Sequence, residues 1–486
     1  MKDNKVACFF RKMKTKYQSM TVGDKISLIL VVSLLWIEIL FCFQWYFDSK
    51  VLKYDLTTGE MIKTAFGNSL FFQAYSDAFM DYFNVLTFLT DNNPYAEPFN
   101  SSYPPLALLI AKGFKSLADV GVNSNYYFVR AIVGENFTKV LAFVLFVIVA
   151  IILTYFFIYK ILKKQKTFKN KTGLFAFIFT IMVFLTAPYL YLFNRGNFLS
   201  YAFVATLGFF AYYDSESKVA REFSIILLAI AGGIKIYPLA FGLILLKDKK
   251  SYEIIRLGIY FVVIFLLSFL AFKGGMKNFK LFLDNMTEFK TSLQIVVING
   301  ENYSLLHSNN LSFSTAITVL ITLFGGTALK EYAVASTLSN FLIVYIFILA
   351  FAVCFTTNKK WKISLIAALL TILIPSPSYI YAGVMLIIPL ILFLFEKEKG
   401  NLDYAYMVLF IIALSPLQFG YLIQPLEKGH LFGVKWSNVL RFLSYMAFIV
   451  LLSIESIKKI VAFIIKKIVA FIKAKKSAKE VEITAE

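Results

Sequence analysis

Long, uninterrupted apolar runs recur along almost the whole chain, and they restrict its fold more than any other feature. Ile26 to Tyr46 and Phe137 to Ile161 are two of them. About 20 helical residues cross the ~30 Å hydrocarbon layer of a bilayer. In lipid only helices and closed barrels satisfy every backbone hydrogen bond, and these runs are continuous rather than alternating. The sequence therefore predicts an all-α, polytopic transmembrane helical bundle with about a dozen membrane-entering segments.

Composition excludes several other classes of protein. Hydrophobic residues make up 59% of the 486 residues and the mean hydropathy is +0.71, which is more apolar than a soluble core requires. The net charge of +20 comes from Lys and Arg in short clusters between the runs and at both ends, the pattern of positive-inside loops rather than of a nucleic-acid surface. Three cysteines and two histidines favour neither a disulfide framework nor a histidine-rich metal site. We expect no nucleic-acid partner and no metal.

The basic clusters also predict the orientation and the domain limits. Residues 1–25 form a basic cytoplasmic lead, residues 26–457 a membrane domain, and residues 458–486 a basic cytoplasmic tail. Two long outer loops are predicted within the membrane domain, at about 48–136 and at 273–312. We therefore expect a multi-pass protein of the plasma membrane with both termini in the cytoplasm.

One apolar segment decides the parity of all later crossings. Glu222 to Leu246 has the length of one span, but basic residues flank it on both sides and its middle contains Lys235 and Pro238. Proline interrupts a helix, so we expect two half-helices that meet at Lys235–Pro238 and enter and leave on the same side. The alternative is a single kinked span, which would place the later basic clusters outside. The positive-inside pattern favours the hairpin.

The later segments include two long predicted crossings and an unusual tail. Gly173 to Phe193 and Tyr404 to Ile423 are each predicted to cross once, whereas Ala316 to Phe324 is too short to do so. The sequence IKKIVAFI then occurs twice in succession, at Ile457 to Ile464 and at Ile465 to Ile472. This repeat predicts a basic amphipathic helix on the anionic inner leaflet, or alternatively a simple stop-transfer anchor.

Two acids in the first outer loop are candidate catalytic groups. Asp77 and Asp81 are one helical turn apart, so on a helix they would share a face. A carboxylate there can take a proton from a hydroxyl as that oxygen attacks an activated carbon. The alternative is that both acids are ordinary solvated loop charges or charges at a helix N-terminus. Tyr103-Pro104-Pro105 follows in the same loop and is predicted to open a short helix that shapes the cavity.

Cations and polar residues further along the chain are candidate binding groups. Lys235 lies in an apolar segment, where a charge usually faces an internal cavity or a partner, and it suits a phosphate unless it extends to the membrane surface. Arg195 would serve the same anion from the outer mouth of its turn, or act as an interfacial anchor. His307 and Asn310 belong to a polar group ahead of a short apolar helix and would bind sugar hydroxyls or a phosphate oxygen.

Several of these motifs, in this order, resemble a known family. The series is SDAFMDYF after the first span, NPY, YPPLALL, NRGN at the head of a span, GGIKIYPL in the broken segment, HSNNLS, and IPSPSYIYAGVMLIIP. From about Trp36 to Pro389 the chain is similar to the bacterial polyprenyl-phosphate-dependent mannosyltransferases, glycosyltransferase family 87 of the glycosyltransferase C superfamily.

The resemblance implies a fold, a reaction and a set of site residues. A sugar would pass from a polyprenyl-phosphate carrier, with inversion, to a hydroxyl of a cell-envelope glycan or glycolipid at the outer face of the bilayer. Asp77 matches the family's general base, and Asp81 stands where an aromatic residue is common. The lysine before proline matches Lys235, and the asparagine-serine pair matches Asn310 and Ser312. No cofactor or metal is implied, because the polyprenyl-phosphate sugar is a substrate.

The remaining site residues carry departures from the family or come with its motifs. Asn197 follows Arg195 and Gly196 where the family often has a Gly-Gln pair, and Tyr381 stands where it often has histidine. Tyr103 and Tyr237 belong to the matched motifs and are expected at the substrate. These departures leave the sugar and the acceptor open.

Two other functions remain as alternatives. A flippase or exporter of lipid-linked oligosaccharide would be expected to place its charges along a pathway within the spans, whereas the acids here concentrate in an outer loop. A polymerase of lipid-linked oligosaccharides would share the donor but not this order of motifs. The sequence favours a membrane glycosyltransferase.

Overall fold

The computed structural model describes residues 5–48, 53–54, 61–62, 79–89, 92–116, 137–165, 171–248, 250–292, 296–298, 301–303, 310–325, 332–375, 377–424 and 433–485. Most of them are helical. The helices up to the predicted hairpin are α1 (Lys5–Ser19), α2 (Val22–Asp48), α3 (Met80–Phe88), α4 (Pro105–Lys115), α5 (Phe137–Lys164), α6 (Thr172–Phe184), α7 (Ala187–Arg195), α8 (Leu199–Tyr212), α9 (Lys218–Ile234) and α10 (Leu243–Lys247).

The remaining helices follow in the second half of the chain. They are α11 (Ser251–Phe269), α12 (Lys277–Ser292), α13 (Phe313–Leu323), α14 (Tyr332–Thr356), α15 (Lys360–Leu373), α16 (Ile387–Phe395), α17 (Asp403–Leu414) and α18 (Trp436–Ala485), with 3-10 turns at Tyr237–Gly242 and Ile380–Leu386. Three short antiparallel pairs join β1 (Lys53–Tyr54) to β2 (Met61–Ile62), β3 (Val296–Ile298) to β4 (Glu301–Tyr303), and β5 (Tyr421–Ile423) to β6 (Val434–Lys435).

Four helices in the described ranges are long and apolar enough to cross a membrane, namely α2, α5, α11 and α14. A fifth crossing results if α6 and α7 are taken together. Large apolar side chains on these helices face outward, as Trp36 and Phe341 do, which is the arrangement that lipid favours. The chain is therefore a helical membrane protein. Several other predicted segments are apolar helices of 10–17 residues, so the predicted dozen crossings are not confirmed and remain a prediction.

The predicted crossing from Gly173 to Phe193 is not one straight helix. α6 and α7 meet at a bend of 70°. Thr186 at the bend is extended, and Pro188 follows within the first turn of α7. Proline has no N–H to donate to the preceding turn, so α6 cannot continue through it. The bend brings Arg195 at the end of α7 into the interior of the bundle.

The predicted hairpin between residues 222 and 246 is present in the structure. α9 ends at Ile234, Lys235 is extended, and the 3-10 turn begins at Tyr237. The second arm packs against the first near the tip, where a Cβ at Gly232 would lie 2.6 Å from the Leu239 side chain. The start of the first arm also lies beside the end of the second: Arg221 lies 4.0 Å from Glu253, and Lys250 donates to the carbonyl of Tyr213 at 3.1 Å. A single kinked span would have separated these ends.

The basic clusters that were predicted to share one side of the membrane lie at one end of the bundle. Lys360 lies 3.6 Å from Asp248 and donates to the Tyr213 hydroxyl at 2.7 Å. Lys164 forms an ion pair with Asp214, directly after α8. These contacts join the ends of α5, α8 and α10 to the start of α15. We call this region the basic end. That it faces the cytoplasm remains a prediction.

The predicted crossing from Tyr404 to Ile423 needs a correction. α17 ends at Leu414, Ser415 leaves the helix, and Pro416 follows. The last residues of the predicted span form β5, which pairs with β6. Proline again prevents continuation of the helix.

The tail repeat is helical and continuous with the last predicted membrane segment. α18 runs unbroken through Trp436–Ala485, and its residues after Ile457 are exposed as far as they are described. A helix that leaves the bundle straight would have to bend near Ile457 to lie on a leaflet. The predicted surface location of the tail therefore remains a prediction.

The core is centred on α15, in which every residue after the first is buried. The 3-10 turn Ile380–Leu386 and α16 fold back along it and are buried as well. The predicted outer loops contain further helices, α3 and α4 in the first and α12 in the second. These helices lie over the core, and the space between them is the cavity described next.

Candidate active site

A single cavity of about 1310 Å³ collects most of the predicted site residues. It lies among α3, α4, α7, α11 to α15 and the tip of the hairpin. The predicted residues that line it are Asp81, Tyr103, Arg195, Asn197, Lys235, Tyr237 and Ser312. Asn310 lies behind the wall, and Asp77 and His307 lie outside the described residues.

Asp81 accepts hydrogen bonds from two donors at the end of α7 and in the turn that follows it. Its side chain is buried, Oδ1 accepts from Arg195 Nη2 at 2.5 Å, and Oδ2 accepts from Asn197 Nδ2 at 2.6 Å. The orientation of the Asn197 amide is fixed, because its Oδ1 accepts the backbone N–H of Leu199 at 2.9 Å. Hydrogen bonds between ionised partners are stronger than neutral ones. The contact therefore holds the Arg195 guanidinium at the edge of the cavity.

The backbone on both sides of this contact is unusual. Gly196 has φ +62°, and a Cβ there would lie 2.8 Å from Cβ of Tyr82 in α3. Only glycine combines the left-handed turn with so close an approach. Phe79 also has positive φ, and its N–H donates to the carbonyl of Asn194 at 2.6 Å. Because of these features, the start of α3 packs closely against the end of α7.

The prediction that Asp77 and Asp81 share one helical face stays a prediction, because Asp77 lies outside the described residues. α3 begins at Met80, after Phe79 in the left-handed conformation. A right-handed helix cannot continue backwards through a residue with φ of +57°. Asp81 is in the first turn of α3.

Lys235 enters the cavity at the tip of the hairpin. Its Nζ lies 5.3 Å from the centre of the Tyr381 ring, within the range of a cation–π contact. The pyrrolidine of Pro238 and the break after Ile234 place this lysine between the two arms rather than on either helix. In the described part of the lining, the charged side chains are one carboxylate, Asp81, and two cations, Arg195 and Lys235. This part of the cavity wall therefore has a net positive charge.

Tyr103 lies at the same end of the cavity, just before α4. Burial raises the pKa of its hydroxyl well above the usual value, and the negative charge of Asp81 raises it further. The phenol is therefore neutral at physiological pH and available as a hydrogen-bond donor. The predicted helix after Pro104 is confirmed as α4.

Another part of the cavity lining is apolar. α11 contributes Phe261, Val262, Phe265 and Leu266, and α12 contributes Phe279, Phe282, Leu283 and Met286. We call this part the aromatic groove. Its residues recur at helical spacing, so each helix turns one apolar face to the cavity. The groove is suited to a long hydrocarbon rather than to a polar ligand.

Some lining residues were not predicted as site residues. Ser378 and Tyr381 follow α15, and Ser336 and Asn340 lie on α14. Tyr381 had been noted only as a departure from the family. A signal for Ser336 and Asn340 was present, because polar residues one turn apart interrupt an otherwise apolar helix. Ser378 is one of several serines in its loop, and no pattern distinguishes it.

Within the described ranges, no group of three or more His, Cys, Asp or Glu side chains is placed to hold a metal ion. That the reaction needs no metal remains a prediction.

The fold and the cavity define a helical membrane protein with a site that combines charged and apolar lining residues. The model of glycosyltransferase family 87 matches residues 102–389, more than half of the chain, and the protein belongs to that family. The predicted resemblance is thus confirmed, and the protein is a glycosyltransferase. No curated protein matches the chain. The matched range includes the hairpin and Arg195, whereas Asp77 and Asp81 precede it.

Proposed function

We propose that the protein transfers a hexose, mannose or a close relative, from a polyprenyl-phosphate carrier to a hydroxyl of a cell-envelope glycan or glycolipid. The observation that carries the proposal is the pairing, in one cavity, of two cations with an aromatic groove. A lipid-phosphate sugar has the matching sequence of parts, a long hydrocarbon, an anionic phosphate and a polar ring.

The charged end of the cavity supports the phosphate assignment. Arg195 is held in place by Asp81, and Lys235 comes from a different element and approaches from the hairpin tip. Two cations that converge on one cavity stabilise an anion more strongly in a low-dielectric interior than at the surface. In the proposed mechanism, Asp81 orients Arg195.

The chemistry requires a base, and Asp77 takes that role. Its carboxylate removes the proton of the acceptor hydroxyl as that oxygen attacks C1 of the sugar. The bond from C1 to the phosphate oxygen breaks, and its electron pair leaves with the polyprenyl phosphate. Lys235 and Arg195 stabilise the negative charge on that leaving group. Attack opposite the departing oxygen inverts the anomeric configuration. No nucleotide, cofactor or metal takes part in the step.

The position of the cavity supports a reaction at the outer face. Lys235 is separated from the basic end by α9, whose 17 residues span about 25 Å. If the basic end faces the cytoplasm, the tip of the hairpin reaches nearly across the hydrocarbon layer. We infer a plasma-membrane protein with cytoplasmic termini and a site that opens outward.

The experiment is a transfer assay with purified protein in proteoliposomes that contain polyprenyl-phosphate mannose and an envelope glycolipid fraction. Asp77→Asn should lower the transfer rate by at least about a hundredfold, as loss of general-base catalysis does. Asp284→Asn is the matched control, because Asp284 is an exposed carboxylate of α12 that does not line the cavity. Full activity in Asp77→Asn would contradict the base assignment. Movement of the lipid across the vesicle without transfer would contradict the function and favour a flippase.

A further inference from the structure

One wall of the cavity is lined by uncharged polar groups. Ser312 and Ser314 come from the start of α13, Ser336 and Asn340 from α14, and Ser378 from the loop after α15. We call these five residues the hydroxyl wall. The charged lining residues come from other elements, namely α3, the end of α7 and the hairpin tip. The cavity thus has a neutral hydrogen-bonding wall distinct from its ionic one.

Ser378 is the most informative member of this wall. It is 3% exposed, it lines the cavity, and its Oγ has no hydrogen-bond partner among the described residues. A buried hydroxyl without a partner costs free energy, so such groups in native proteins usually have a functional explanation. A ligand hydroxyl in the cavity would supply the missing partner.

Asn310 holds Ser378 in place from behind the wall. Its Oδ1 accepts the backbone N–H of Ser378 at 3.0 Å and that of Ser312 at 3.1 Å. The N–H of Leu311 in turn donates to the carbonyl of Ser378 at 2.6 Å. Because Asn310 is buried and does not line the cavity, it acts as a positioning residue that ties two loops into one rigid edge.

The polar face of α14 extends this edge. Ser336 and Asn340 are one turn apart and line the cavity, whereas Leu338 and Phe341 on the same helix face outward. Polar side chains on a helix that is long enough to cross lipid are costly unless they face a cavity or a partner. Their orientation toward the cavity fits a polar ligand at this wall.

The wall is also continuous with the phosphate-binding end. Ser378 is followed at three residues by Tyr381, whose ring lies 5.3 Å from Lys235 Nζ. Neutral hydroxyls and amides recognise sugar hydroxyls, whereas cations recognise phosphate. A ring joined directly to a phosphate at Lys235 would reach this edge. We propose that the hydroxyl wall binds the hexosyl ring of the lipid-phosphate donor, with Ser378 as a direct contact. This rests on the proposed function.

The test compares two probes that differ only in the sugar, polyprenyl phosphate and polyprenyl-phosphate mannose. Binding of each is measured to the full-length protein in nanodiscs. Wild type should bind the mannosyl lipid more tightly. Ser378→Ala should lose about tenfold in affinity for the mannosyl lipid and keep its affinity for polyprenyl phosphate, since one hydrogen bond to the ring is removed. Ser336→Ala should act in the same direction.

Ser364→Ala is the matched control. Ser364 also has a buried Oγ without a partner in the described structure, but it lies within α15 away from the cavity. It should bind both lipids as wild type does. If Ser378→Ala and Ser336→Ala retain the full preference for the mannosyl lipid, or if wild type has no preference, the hydroxyl wall does not bind the donor sugar, although the proposed function stands. If wild type binds neither lipid, the proposed function fails together with this inference.

Discussion

Asp81 and Arg195 are 114 positions apart in the sequence, and their contact decides how the charged end of the cavity is interpreted. Either residue alone has an ordinary explanation, as a solvated acid or as an interfacial anchor. Together, with Asn197 on the second carboxylate oxygen, they form a fixed unit that presents one guanidinium to the cavity. In the proposed mechanism Asp81 therefore positions Arg195, and proton transfer belongs to Asp77.

This division of roles makes a kinetic prediction for Asp81→Asn. The new amide can accept from Arg195 but loses the charge and one of the two acceptor oxygens. We expect the KM for polyprenyl-phosphate mannose to rise by about tenfold, with kcat within a few-fold of wild type, because hydrogen bonds to charged groups contribute about 1.5–3 kcal/mol. Steady-state kinetics at varied donor concentration measure both constants. A collapse of kcat with an unchanged KM would instead make Asp81 the base.

The sequence indicated which residue types would form the site but not all of their contacts. Lys235 could be predicted because a charge in an apolar segment needs a cavity or a partner. The Asp81 contact could not, since it depends on the left-handed turns at Phe79 and Gly196 that bring α3 onto α7. The shared helical face of Asp77 and Asp81 stays a prediction, because Asp77 lies outside the described residues.

Among the elements, the hairpin of α9 and α10 places Lys235 inside the bundle. Glycine and proline near its tip predicted the break, and the basic residues on both flanks predicted the return. The close packing of its two arms depends on Gly232, at which a Cβ would lie 2.6 Å from Cγ of Leu239. Leu239 of the 3-10 arm therefore packs directly against the backbone of α9.

Gly232→Ala should displace this arm and with it Lys235. We expect lower activity and a loss of about 1–3 kcal/mol of stability, the usual cost of overpacking. Gly258→Ala in α11 is the matched control, because a Cβ there meets nothing within 4 Å and alanine favours the helix. Thermal unfolding in detergent together with transfer activity would check both. Equal stability of the two variants would show that the arms are not tightly packed.

Other element boundaries were less predictable, and prolines explain most of the differences. Pro188 and Pro416 each interrupt the helix within an apolar run. The residues after such a break are still hydrophobic. A prediction from hydrophobicity therefore makes the span too long, because the helix has already ended or bent. α12 was assigned to a loop because its sequence is too polar to suggest a crossing.

At the scale of the whole molecule, the structure separates two ends. The ion pairs and hydrogen bonds of Lys164, Lys250 and Lys360 gather at the basic end, and the cavity lies beyond α9 from it. The helical membrane class and the family could be predicted from apolar runs and ordered motifs. The number of crossings could not, because half-length helices and broken spans have the composition of full spans.

The central claim, that the cavity holds a lipid-phosphate sugar by its cations, is tested most directly by the polyprenyl phosphate released during transfer. Wild type should release one polyprenyl phosphate for each sugar transferred, and Lys235→Met should lower both by about a hundredfold. Lys247→Met, at the basic end of the same hairpin, should leave both unchanged. Sugar transfer without release of polyprenyl phosphate, or full release by Lys235→Met, would contradict the account.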